Sequence, residues 1–163
     1  IESNVWMAYL LSVFLVGTGF AVYDILDRRV PDRALVFFIP LAALAPLIQV
    51  YFILEYDRTP IFIWPVVTEA LMGALLGSCI PLAAAMATGG SGMGGGDIKF
   101  CGVLGLVYGP SGMALVFLVA AGFAMPVVLL YRRLLRNKQP TAIPFLPFLA
   151  CGCSVATLAA LFL

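Results

Sequence analysis

Long apolar runs, rather than alternation, set the pattern of this chain. They cover residues 5–26, 34–54, 61–88, 100–109, 113–131 and 143–163. Short polar segments separate them: "DRRVPDR", "EYDRTP", the glycine-rich "GGSGMGGGDIKF", "GPSG" and "RRLLRNKQPT". A membrane-spanning helix needs about 20 consecutive apolar residues. The fourth run meets this least well and becomes a helix only if it begins at Asp97. The pattern predicts an all-α polytopic membrane protein of six transmembrane helices, with residues 1–163 forming one domain and no internal repeat. From Asp97 to Gly109 an α-helix reaches only about 20 Å, against a hydrocarbon core of about 30 Å. That helix cannot span alone, so "GPSG" is expected to dip inward. Pro46, Pro81 and Pro126 fall inside runs and predict kinks. "GALLG" (Gly73, Gly77) and "GLVYG" (Gly105, Gly109) have the small-xxx-small spacing that lets two helix backbones approach closely.

Composition strengthens the membrane reading. The chain is 63% hydrophobic and 10% charged, with a mean hydropathy of +1.10, whereas soluble domains carry about 25% charged residues. A net charge of +1 argues against nucleic acid as a partner. There is no His, which excludes a His general base or a His-ligated zinc. Cys79, Cys101, Cys151 and Cys153 form no CxxC pair, so neither a metal nor another cofactor is expected and the thiols read as buried and inert. The first run lacks a basic n-region and is not read as a removable signal peptide.

Charge gives an orientation. Eight of the nine basic residues border the first, third and fifth polar segments, and only Arg58 lies in the second. Basic residues collect on the cytoplasmic side, which places both termini outside and the glycine-rich segment in the cytoplasm.

Carboxylates near membrane depth are costly and therefore informative. Asp24 is the twentieth residue of its run, about 30 Å along the helix, where hydrocarbon gives way to headgroups. Asp97 opens the fourth helix at the same face. Each alone reads as interfacial solvation, or as a helix cap at Asp97. Together they form a candidate dyad. Two close carboxyls share one proton, so that one activates water while the other polarises a carbonyl. Asp24 sits near a negative helix end and Asp97 near a positive one, which assigns the shared proton to Asp24. Glu69 is expected nearer the outer face, in a packing or hydrogen-bonding role. Asp32 reads as the cap of the second helix.

These residues resemble a known family, the type IV prepilin peptidases. "GMGGGDIKF" is similar to their GxGD signature followed by x-K, with Gly94, Gly96, Asp97 and Lys99 in register. "YDILDRRVPDR" resembles the first signature through Asp24, Pro31 and Asp32. "TEALMGALLG" and "IPFLPFLACG" resemble two further elements, the last carrying Pro144 and Pro147, with Leu146 where the family often has glycine. The resemblance implies a GxGD intramembrane aspartyl endopeptidase of the inner (plasma) membrane. It would cut the basic leader from prepilins or pseudopilins at the cytoplasmic face, with Asp24 and Asp97 catalytic. Gly94, Gly96, Lys99, Asp27, Pro144 and Pro147 would bind substrate or support the site. Asp27 is the rival of Asp24, but the seven-residue spacing to Pro31 favours Asp24; Asp27 is expected in the loop, attracting a basic leader or merely solvated. Lys99 pairs with an aspartate or snorkels to the interface. Without CxxC elements the chain is expected to be a short form lacking the cysteine-rich N-methyltransferase part. Alternatives are a presenilin or signal-peptide-peptidase-like protease and a small ion-coupled transporter. The partners implied are prepilin-type precursors and membrane lipid, with the oligomeric state left open.

Overall fold

A computed structural model describes residues 2–27, 32–56, 63–87, 89, 94–134 and 145–162. Among them are five helices: α1 (Glu2–Asp27), α2 (Asp32–Tyr56), α3 (Ile63–Ala87), α4 (Gly95–Leu134) and α5 (Leu146–Phe162). The first four each contain a stretch long and apolar enough to cross a membrane, and the apolar part of α5, Leu146–Ala160, is shorter. Helices are the form expected for apolar chain in lipid, because each satisfies its own backbone groups.

The main difference from the sequence pattern lies in α4. The helices expected from Asp97 and over 113–131 are both present, but no loop separates them. The chain breaks at one residue, Gly109, with φ 65° and ψ −175°. That backbone region is essentially closed to any residue with a Cβ. Pro110 then opens the next arm, where its missing N–H costs nothing. The turn thus needs fewer residues than "GPSG" supplies.

Side-chain pairing shows what the break does. Along residues 100–108, Phe100 and Leu104 meet the Ala150–Cys153 region of α5, and the Tyr108 hydroxyl hydrogen-bonds Thr157 Oγ1 at 2.9 Å. After the break the order inverts. Ser111 and Gly112 border Ala156, Ala159 and Ala160, whereas Val116 meets Gly152. The first arm therefore runs parallel to α5 and the second antiparallel to it.

Two packing devices hold the bundle. The first is the glycine seam between α3 and α4. A Cβ at Gly73 would overlap the carbonyl oxygen of Gly105, one at Gly105 would overlap that of Gly73, and one at Gly77 would overlap that of Cys101. The two small-residue spacings found in the sequence thus face each other, backbone on backbone. The second repairs a proline. Pro46 inside α2 has no N–H for the Ala42 carbonyl. The Tyr9 hydroxyl of α1 donates to the Leu41 carbonyl at 2.9 Å and reaches the Ala42 carbonyl at 3.4 Å. Pro81 and Pro126 also lie inside helices, as expected.

The core lies where α1, α2, α4 and α5 meet, around Leu10, Val13, Phe38, Leu104, Met113, Val116, Leu146 and Leu149. Outward faces stay apolar, as at Phe37, Leu118 and Met86, which suits contact with lipid tails.

Candidate active site

Helix α4 begins inside the glycine-rich segment. The Gly94 carbonyl accepts from the N–H of Asp97 (3.1 Å) and of Ile98 (3.4 Å), which makes Gly94 the capping residue. Gly95 and Gly96 occupy the first two helical positions and Asp97 the third. From there the Asp97 carboxyl lies near the Gly94 N–H, the position of the acidic residue in a capping box. Asp97 is half-buried, while Gly94 is exposed. A Cβ at Gly94 would stand 3.6 Å from Asp97 Oδ2, an ordinary contact, so Gly94 lies beside this carboxyl.

Asp24 comes from the last turns of α1 and is only 6% exposed, which makes it the most buried acidic residue described. The backbone N–H of Leu146, at the start of α5, is near enough to act on its carboxyl. Its Oδ2 is buried and has no hydrogen-bond partner among the described residues. Asp24 and Asp97 lie within range of each other's charge. The structure thus brings together two carboxyls that are far apart in sequence.

Three rings fix how closely α1 and α4 approach. Phe20 lies one turn before Asp24, Phe100 one turn after Asp97, and Phe38 projects from α2. Phe100 sits 5.1 Å from Phe20 and 5.5 Å from Phe38 between ring centroids, and Phe20 and Phe38 are 5.7 Å apart. All three are buried. The cluster thus lies one helical turn inward of both aspartates. No signal in the sequence singled it out, because a phenylalanine in a uniformly apolar run looks like any other. The Leu146 N–H was equally hidden, since a backbone donor leaves no mark on side-chain pattern.

The other expected residues are distributed as follows. Gly96 is half-buried beside Asp97, and Lys99 is exposed on α4. Pro147 is the second residue of α5. Asp27 is the last residue of α1 rather than a loop residue, because the helix runs on past the apolar run, and Asp32 is the first of α2; the side chains of both lie outside the described residues, as do Pro31 and Pro144. Glu69 is exposed on α3, which corrects the packing role expected for it. All four cysteines are free, but only Cys101 and Cys153 are buried. Cys79 and Cys151 face outward, because the apolar runs that carry them present a side to lipid as well as to the core. Among the described residues no three His, Cys, Asp or Glu side chains come together as a metal site.

Residues 7–130 match the type IV leader peptidase family, a range that contains both Asp24 and Asp97. The chain is also 36% identical over 142 residues to the prepilin leader peptidase/N-methyltransferase of Bacillus subtilis (strain 168). That alignment takes in 85% of this chain and 50% of the relative, so the chain spans about half the length of the curated protein it matches. No solved structure matches it.

Proposed function

Because the chain belongs to the type IV leader peptidase family, we propose that it is an aspartyl endopeptidase that cuts the leader from prepilin-type precursors. The observation that carries the proposal is that Asp24 and Asp97, from helices distant in sequence, lie within range of each other's charge and both fall in the family-matched range. One carboxylate takes a proton from water as the water oxygen attacks the scissile carbonyl carbon. The other carboxyl gives its proton to the carbonyl oxygen. The tetrahedral intermediate collapses as the carboxyl that took the water proton gives it to the leaving nitrogen and the C–N bond breaks, while the other carboxylate takes a proton back from an intermediate hydroxyl, which restores the starting dyad.

The multi-pass membrane setting supports the finer parts of this reading. We place the site at the cytoplasmic face of the plasma membrane, because eight of the nine basic residues border that side. The opposite pairing of the two arms of α4 with α5 supports a chain that crosses the bilayer six times, with the turn at Gly109 lying short of the far surface. The site then faces the compartment where a basic leader waits.

The test is to incubate the purified protein in lipid with a prepilin and weigh the products. Loss of the leader mass is expected, and the same spectrum reports any added methyl group. Asp24→Asn and Asp97→Asn should each abolish cleavage while the protein still inserts, whereas Asp27→Asn should keep substantial activity. If Asp27→Asn were as inactive as Asp24→Asn, the assignment of the dyad would fail.

A further inference from the structure

The end of the bundle away from the aspartates holds a cavity of about 310 Å³, and Trp6, Gln49, Tyr108, Ser111 and Gly112 are among the residues that border it. Its position follows from the break in α4. The first arm, from Asp97 to Gly109, reaches only about 20 Å through a hydrocarbon core of about 30 Å. Roughly 10 Å of depth is therefore left beyond the turn, between the far parts of α1, α2 and α5.

Two observations bear on what fills that space. Irregular backbone at membrane depth persists only where protein buries it or where it lines a water-filled cavity. Gly109 is such a break, and Ser111 and Gly112, just after it, line this cavity. The second observation is polar. Gln49 is the only amide side chain within any of the apolar runs. Neither its amide nor the Ser111 hydroxyl has a hydrogen-bond partner among the described residues, and both residues border the cavity. A lipid tail lodged there would leave both groups bare, at a heavy cost. Water satisfies them, and the volume accepts on the order of ten molecules at about 30 Å³ each.

We propose that this cavity is a water-filled vestibule, which enters the bundle from the face opposite the dyad and is sealed at Tyr108. The inference rests on the six-span reading, which puts Gly109 short of that face. Tyr108 borders a second space as well, together with Val13, Gly17, Leu104 and Cys153. That space measures about 10 Å³, close to the least that admits one water, and its lining is almost wholly apolar, so it stays dry. Phe100, of the ring cluster next to the dyad, borders it too. The Tyr108 ring is thus the partition between solvent and the dry core. Its tether is the hydrogen bond of 2.9 Å between its hydroxyl and Thr157 Oγ1.

A charged thiol reagent added from one side of the membrane tests both parts. The native cysteines are replaced by alanine, and Arg58→Cys and Asn137→Cys mark the two faces. Ser111→Cys should react from the Arg58 side, at least about tenfold faster than Leu118→Cys on the lipid face, because the reactive thiolate forms where water reaches it. Ser111→Cys should also still cleave prepilin, which shows the fold intact. With native Cys153 restored, its reaction should be absent when Tyr108 is in place. It should be weak in Tyr108→Phe, which keeps the ring without its tether, and strong from the Arg58 side in Tyr108→Ala. Leu149→Cys, in the core but bordering neither space, should stay protected in all three. Ser111→Cys reacting no faster than Leu118→Cys, or reacting from the Asn137 side, would overturn the vestibule. Cys153 protected in Tyr108→Ala, or exposed there together with Leu149→Cys, would overturn the seal, since general loosening would explain the second result. Arg58→Cys and Asn137→Cys labelled from one side would instead overturn the six-span reading.

Discussion

Phe100→Ala tests whether the ring cluster beneath the aspartates sets their approach. In water-soluble proteins such a change loses both a transfer contribution and a cavity contribution. In a bilayer the unfolded reference already keeps the ring in hydrocarbon, so the transfer part largely vanishes. What remains is the void. Removing roughly 100 Å³ of ring at about 24 cal/mol per Å³ costs about 2 kcal/mol if the site does not collapse. Contacts with Phe20 at 5.1 Å and Phe38 at 5.5 Å are lost as well, and each ring pair adds about 0.5–1.5 kcal/mol. A total near 3 kcal/mol is expected, readable as a loss of folding free energy by steric trapping in bicelles. Partial collapse would draw α1 across the gap and shift Asp24 relative to Asp97. A misplacement of about 1 Å can cost about 100-fold in rate. Prepilin cleavage should therefore fall by one to two orders of magnitude in Phe100→Ala and much less in Phe100→Leu, with Leu118→Ala on the lipid face near wild type in both assays. If Phe100→Ala were destabilised as calculated yet cleaved at the wild-type rate, the cluster would be core and nothing more.

Further outcomes follow from the same structure. Gly73→Ala pushes a methyl into the Gly105 carbonyl and should destabilise by about 1–3 kcal/mol, read by the same trapping assay, whereas Gly17→Ala, with open space around it, should not. Cysteines introduced as Arg58→Cys and Asn137→Cys should react with an impermeant reagent from opposite sides of the membrane; labelling from one side would contradict six spans. Infrared spectra of the two aspartate variants should show the protonated-carboxyl band lost in Asp24→Asn and kept in Asp97→Asn, and the reverse pattern would exchange the two roles.

Much of the bundle could be read from the chain because lipid simplifies the problem. Polar segments such as "EYDRTP" can only lie at the ends of spans, so helix limits fell within a few residues of the observed ones. The glycine pairs of α3 and α4 were visible as spacings, though not as partners, because spacing carries no information about which helix is opposite. The merging of two expected helices into α4 was hidden by "GPSG", which reads as a loop when its length is counted but needs only Gly109 to break the helix. At the site, Asp24 and Asp97 stood out because a charge is expensive at that depth. The groups that hold them did not. The dipole argument at Asp24 counted the end of its own helix, and the structure adds the start of α5, which has the opposite sign.

The glycine seam has a mechanical consequence. Contacts made backbone to backbone have no rotamers to adjust, so α3 and the first arm of α4 can separate or stay locked but cannot flex past one another by small repacking. They should move as one rigid jaw. Asp97 rides on that jaw, while Asp24 rides on α1, which packs on α5 and α2. Any gap that opens between the two bodies to admit an extended peptide also pulls the carboxyls apart. Access and chemistry then share a single coordinate, and an open enzyme is an inactive one. Spin-label distances should show this as a sharp α3–α4 separation beside a broad α1–α4 one that narrows when substrate is bound; a broad α3–α4 distribution would rule the rigid jaw out.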